Sequence, residues 1–151
     1  MTEETFRKDQ WLDRYRWLGH RLQSKAEEYA TVTSLIDSIS PQLTGMPPGG
    51  DVTDKTGKIA TKLATIQSEI ESEQAELLAC RAQIKQVIDA VPDESSRTVL
   101  QLRYLTLERD GTRMTWEQIA DFLHYDRSHV LRLRNKALEQ VVLPEGEDDT
   151  K

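Results

Sequence analysis

Four basic residues crowd one short stretch near the end of the chain. Between residues 127 and 138 stand Arg127, Arg132, Arg134 and Lys136, with no Asp or Glu among them, and Ser128 and His129 lie in the same run. Arginine and histidine donate to guanine N7 and O6, and serine can donate or accept at a base edge. Lysine and further arginines neutralise phosphate. This is the chemistry of recognising a nucleic acid. Catalysis finds no comparable grouping. His20, His124 and His129 have no second cysteine or carboxylate cluster at metal-ligand spacing. Gly49 and Gly50 follow two prolines and are followed directly by Asp51 and not by Lys-Ser or Lys-Thr, so no phosphate-cradling loop is read there. No nucleophile has a base placed beside it, and the expectation is a protein that is not an enzyme and needs no cofactor or metal.

The net charge of −6 looks wrong for such a role until it is divided along the chain. Residues 1–96 hold 11 Lys and Arg against 16 Asp and Glu, residues 97–138 hold 8 against 5, and the tail from Glu139 holds 1 against 5. A local basic footprint on an acidic chain points to a directed contact with DNA. It argues against a histone-like glue, since most of the surface would repel phosphate. No apolar run reaches the ~18 residues of a membrane span, and the acidic start, Thr2-Glu3-Glu4, is unlike a signal peptide. Cys80 is the only cysteine, which fits a reducing cytoplasm.

Two helices must position the basic run. Thr115-Trp116-Glu117-Gln118 has the capping-box pattern ahead of Ile119 and Ala120. That helix ends near Leu123, and His124-Tyr125-Asp126 make a tight turn. Asp126 then suits the N-cap of a last helix whose inner face is Val130, Leu133, Ala137, Leu138 and Val141. Helix, three-residue turn and helix make a helix-turn-helix module. The module needs a small residue at the helix crossing, and Ala120 is there; it needs apolar residues ten and thirteen positions later, and Val130 and Leu133 are there. The turn residue four after Ala120 needs positive φ, and His124 tolerates it better than most side chains. Upstream, residues 95–105 read as one short helix, entered through Asp93-Glu94-Ser95-Ser96 after the breaker Pro92, and a polar connector, 108–112, follows.

The front of the chain carries a different period. Apolar residues recur at steps of four and three through Trp11, Tyr15, Leu18, Leu22, Lys25, Tyr29, Val32, Ile36 and Ile39. The pattern returns through Ile59, Leu63, Ile66, Ile70, Glu73, Leu77, Cys80, Ile84, Val87 and Val91. This is a coiled-coil seam, and the Pro- and Gly-rich loop at 40–52 folds the second helix back antiparallel on the first. Each seam holds one charge, and a register in which paired numbers sum to about 98 sets Lys25 against Glu73. A two-helix seam buries little, so the front half is expected to oligomerise.

The run "TWEQIADFLHYDRSHVLRLRNKALEQV", with "KAL" near its end, resembles region four of sigma-70 factors, and "PDESSRTVLQLRYL" resembles the first helices of that region. The connector is longer than usual. The whole layout, with Met46-Pro47 in the loop between the front helices, is similar to small phage or prophage transcription regulators of the RinA and ArpU late-gene type. The resemblance implies that the first turn of the last helix enters the major groove, with Arg127, Ser128 and His129 at base edges and Leu131 and Arg132 one turn on. It implies backbone contacts from Arg103, Thr115, Arg134 and Lys136, and a core place for Trp116, whose matching position in sigma factors is usually a buried apolar residue. Sigma factors tend to place an acid and a second arginine where this chain has Ser128 and His129, so the element they read does not carry over.

The expected fold is therefore all-α: a long antiparallel helical hairpin over 1–91, a helix-turn-helix domain over 92–143 and an acidic tail over 144–151. The expected function is sequence-specific binding of double-stranded DNA by a phage-type transcriptional regulator in the cytoplasm of a bacterial host. RNA polymerase is a second partner to test, and self-association would run through the coiled coil. Two alternatives belong to other classes. One is a DNA-packaging subunit like a small terminase, although those usually place the DNA-binding head first. The other is an adaptor that binds RNA polymerase through the sigma-like tail without reading DNA.

Overall fold

The computed structural model describes residues 2–43, 50–108 and 111–144. Its helices are α1 (Glu3–Leu12), α2 (Arg14–Leu43), α3 (Gly50–Asp89), α4 (Glu94–Leu100), α5 (Trp116–Leu123) and α6 (Arg127–Gln140), with a π-helical turn, Gln101–Leu105, running on from α4. The described residues are all-helical apart from connecting turns and one isolated antiparallel bridge, Leu107 to Arg113. That bridge is a single pair and forms no strand, so the described residues keep the all-α class expected. Gly111 at φ 82 closes the turn, with its N–H on the Glu108 carbonyl and the Glu108 N–H on the Thr112 carbonyl.

Three boundaries differ from those read in the sequence. The first helix starts at Glu3, behind the N-cap Thr2, and breaks at Asp13. Asp13 is buried and its carboxylate is taken by Arg16 at 2.6 Å and Arg113 at 3.1 Å, while Arg14 Nε donates to the Trp11 carbonyl at the break. The short helix expected over 95–105 is α4 followed by the π turn. The loop expected over 40–52 is narrower, since α2 runs through Pro41 to Leu43 and α3 begins at Gly50. Pro41 has no backbone N–H to give the helix, and α2 ends two residues after it. The rest of that loop, with Met46 and Pro47, lies outside the described residues, as do the connector's Arg109 and Asp110 and the tail from residue 145.

The chain forms two compact units, and their limits are not those of a hairpin over 1–91 and a head over 92–143. One comprises Met1–Gly19 with Leu77–Lys151, and the other His20–Glu76. The physical reason for the first grouping is a shared core: Trp11 and Leu12 pack with Ile84, Ile88 and Val91 of the second long helix, with Leu100 and Tyr104, and with Ala137, Leu138 and Val141. Leu12, Ile84, Ile88, Leu100 and Leu138 are wholly buried. A second core joins Val99, Met114, Ile119, Ala120, Val130 and Leu133, with Leu102, Trp116 and Leu123 against it. The inner face of α6 was assigned correctly, but its residues divide between these two cores.

In His20–Glu76, the side-chain partners on α2 and α3 run in opposite numerical order. Arg21 pairs with Glu76 at 3.0 Å and with Glu73 at 3.3 Å, Lys25 pairs with Glu69, and Tyr29 lies 3.5 Å from Gln67. Every predicted seam residue with a described side chain is buried or half-buried. Among the described side chains of this unit only Val32 and Ile66 are fully buried, and their numbers sum to 98. Lys25 and Glu73 are nonetheless not ion-paired to each other. Long side chains lean along the helix, so each takes a partner about one turn away. Glu69 raises the Lys25 ammonium above its ordinary range, chiefly by accepting its hydrogen bond, and Glu73 adds to the effect from further off.

Candidate nucleic-acid interface

The first of the last two helices, α5, is fixed at both of its ends. Thr115 Oγ1 accepts from the Gln118 N–H at 3.1 Å, and Gln118 Oε1 accepts from the Thr115 N–H at 2.9 Å, completing the capping box. At the far end of α5, His124 sits at φ 59, ψ 40, the left-handed conformation expected of it. The Tyr125 N–H reaches back to the Ala120 carbonyl at 2.9 Å. Asp126 has the extended backbone of an N-cap, but its side chain makes no capping bond. Beneath the turn, Ile119 and Val130 are wholly buried and Ala120 nearly so. The three residues expected at the crossing, Ala120, Val130 and Leu133, lie in one core.

The residues expected at base edges lie on the other side of α6. Arg127, Ser128, His129 and Arg132 are exposed, and Leu131 is half-buried. Arg127 Nη1 stands 3.1 Å from Glu117 Oε1, on α5. His129 meets Tyr125 edge to face, with ring centroids 4.7 Å apart. Arg132 Nε reaches the Ser128 carbonyl at 3.4 Å, a long bond within the helix.

The four residues expected at the DNA backbone divide differently. Thr115 is exposed but spends its hydroxyl oxygen on the cap. Arg134 is half-buried, bonds Asn135 Oδ1 at 3.1 Å and lies 5.9 Å from the Trp116 ring. Lys136 is exposed and stands 3.8 Å from Asp93 Oδ2. Arg103 is built into the fold. Its guanidinium donates to the Met114 carbonyl and stacks 4.7 Å over Trp116, and burial, then the nearby Arg113, lowers its pKa. It thus ties the π-helical turn to the entry of α5, an engagement that its placement among the phosphate contacts did not foresee. Trp116 itself is half-buried against the core, as read.

Several participants were not picked out from the sequence. Lys8, nearly buried, donates to the carbonyls of Leu138 at 3.1 Å and Glu139 at 3.4 Å, placing a positive charge on the C-terminal end of α6. Tyr104 donates to Asp9, and Arg113 stands 3.5 Å from Asp9 and 3.1 Å from Asp13, so the connector is tied to the α1–α2 break. Burial first, and Asp9 second, push the Tyr104 phenol far above its ordinary range. For Glu117 a signal was present. It precedes Arg127 by ten residues, the same interval that brings Ala120 to Val130.

Among the described residues no helix is long and apolar enough to cross a membrane. No curated protein and no solved structure matches the chain. A family model described as a protein of unknown function, DUF1492, matches residues 38–141, more than half of the sequence and including all of α3 to α6. On that match, the chain belongs to the DUF1492 family.

Proposed function

We propose that this protein is a sequence-specific DNA-binding regulator of transcription, phage-type in layout, that lays the first turns of α6 in the major groove. The observation that carries the reading is the division of α6. Val130 and Leu133 are buried against α5, while Arg127, Ser128, His129 and Arg132, interleaved with them, stand exposed. A helix held from behind by a capped partner and a left-handed turn presents donors at its N-terminal end, which is the arrangement a helix-turn-helix needs. Arg127 and Arg132 are the base readers in this reading, with Ser128 and His129 beside them. Lys136, Arg134 and the α5 N-terminus at Thr115 lie toward phosphate. The front helices act as an antiparallel coiled coil through which copies associate, a role favoured by how little His20–Glu76 buries by itself.

Selection of binding sites from a random duplex pool by the full chain should return a defined sequence. Arg127→Ala and Arg132→Ala should each weaken binding to it and relax preference at one position, by about 1–3 kcal/mol for a bidentate contact. Lys136→Ala should weaken binding about equally on all duplexes and lower the salt slope by roughly one unit. A folded Arg127→Ala, Arg132→Ala double variant that binds the selected site as tightly as wild type would overturn the proposal.

A further inference from the structure

We propose that Glu117 is a positioning residue that sets base preference at the position read by Arg127; this rests on the DNA-binding reading above. The two side chains meet at 3.1 Å across the α5–α6 crossing, and both are about two-thirds exposed, at 67% and 69%. An ion pair so open to water does little for the fold. On a face that approaches phosphate, a carboxylate is also a direct cost to affinity. Glu117 therefore opposes binding in general, and its placement makes sense where it sharpens discrimination.

The geometry supplies the means. Glu117 stands in the first turn of α5, and the Thr115–Gln118 capping box fixes that turn. The carboxylate is thus mounted on a rigid support, and it engages Nη1 of Arg127. The guanidinium is a planar fork with five donors, so one held nitrogen leaves others for a paired contact to guanine O6 and N7. A long side chain held in one orientation before binding loses less freedom when it docks. Held in this way, Arg127 is also drawn away from the nearest phosphate, the contact it would make on any sequence. Specificity is a difference of two affinities, and Glu117 lowers the unwanted one while keeping the wanted one oriented.

The test uses the full chain as wild type, Glu117→Gln, Arg127→Ala and the double variant. Each is titrated against the selected duplex, its single-base variants and a scrambled duplex. Glu117→Gln should bind the scrambled duplex more tightly than wild type. It should lose discrimination by about tenfold at one base position, the same position that Arg127→Ala affects. In the Arg127→Ala background, Glu117→Gln should leave base preference unchanged, because the guanidinium it orients is gone. Thermal midpoints of wild type and Glu117→Gln should agree, which a merely structural role would not give together with altered preference. Unchanged discrimination in Glu117→Gln would overturn the inference. So would a change of preference that persists without Arg127, which would make Glu117 itself a base reader. A wild type that selects no sequence at all would remove the DNA-binding reading and this inference together. A selective wild type with an indifferent Glu117→Gln removes the inference alone.

Discussion

At His124 an L-residue occupies φ 59 between α5 and α6, where glycine would sit without strain. The position was legible because the module's spacing counts four residues on from Ala120, and spacing fixes backbone geometry even when the side chain is unusual. His124→Gly should stabilise the protein by about 1 kcal/mol or less, the relief of left-handed strain offset by glycine's greater freedom when unfolded. A lower thermal midpoint would show that the imidazole makes a contact worth more than the strain. Arg103 was less legible. A basic residue in a basic segment reads as a phosphate contact, and only the fold reveals that Trp116 and the Met114 carbonyl already hold it. Tyr104 is similar, since nothing in the sequence marked Asp9 as the partner of its hydroxyl. Tyr104→Phe leaves a partly buried carboxylate short of a donor, and should cost about 1–3 kcal/mol in a denaturant titration. A loss near zero would mean water replaces the hydroxyl.

At the scale of elements, periodicity carried the reading furthest. The four-three step of the front helices and the inner face of α6 both follow from burial, which local sequence records directly. Breaks that depend on distant partners were not recorded in the same way. Asp13 stands at the break in the first helix, and of the two arginines its carboxylate serves, Arg16 and Arg113, the second lies a hundred residues away. The start of α4 was visible, and it titrates. Asp93 accepts from the Ser96 hydroxyl at 2.7 Å and the Ser96 N–H at 3.0 Å, which holds its carboxyl below the usual range, with Lys136 and Arg97 helping. A carboxyl depressed by folding contributes in full above the unfolded value of about 4, and its contribution disappears as pH falls through the depressed value. Asn caps a helix nearly as well and does not titrate. The thermal midpoint of Asp93→Asn should therefore fall less steeply than wild type below about pH 4. Superimposable curves would show that the cap is not coupled to acid unfolding.

For the whole molecule, Pro92 suggested a boundary that the packing does not respect. Proline breaks a helix locally, whereas a compact unit is defined by shared burial, and Trp11, Leu12, Ile84 and Ile88 cover Leu100, Tyr104 and Leu138 from before that proline. A fragment beginning at residue 92 should show no cooperative thermal transition. A chain with residues 20–76 replaced by a short Gly-Ser linker should keep one, since Met1–Gly19 and Leu77–Lys151 form a unit without them. A fragment from residue 92 that melts cooperatively at the midpoint of the full chain would show that the earlier residues add nothing. The sharing of α6 between two cores has a further consequence, one of phase. Val130 and Leu133 are set for one core, and Ala137, Leu138 and Val141 for the other, along a single helix that advances about 100° per residue. One residue inserted or removed between Leu133 and Ala137 would turn one set away from its core while the other stayed in place. The length of that stretch of α6 is therefore fixed by the two cores, whatever side chains it carries.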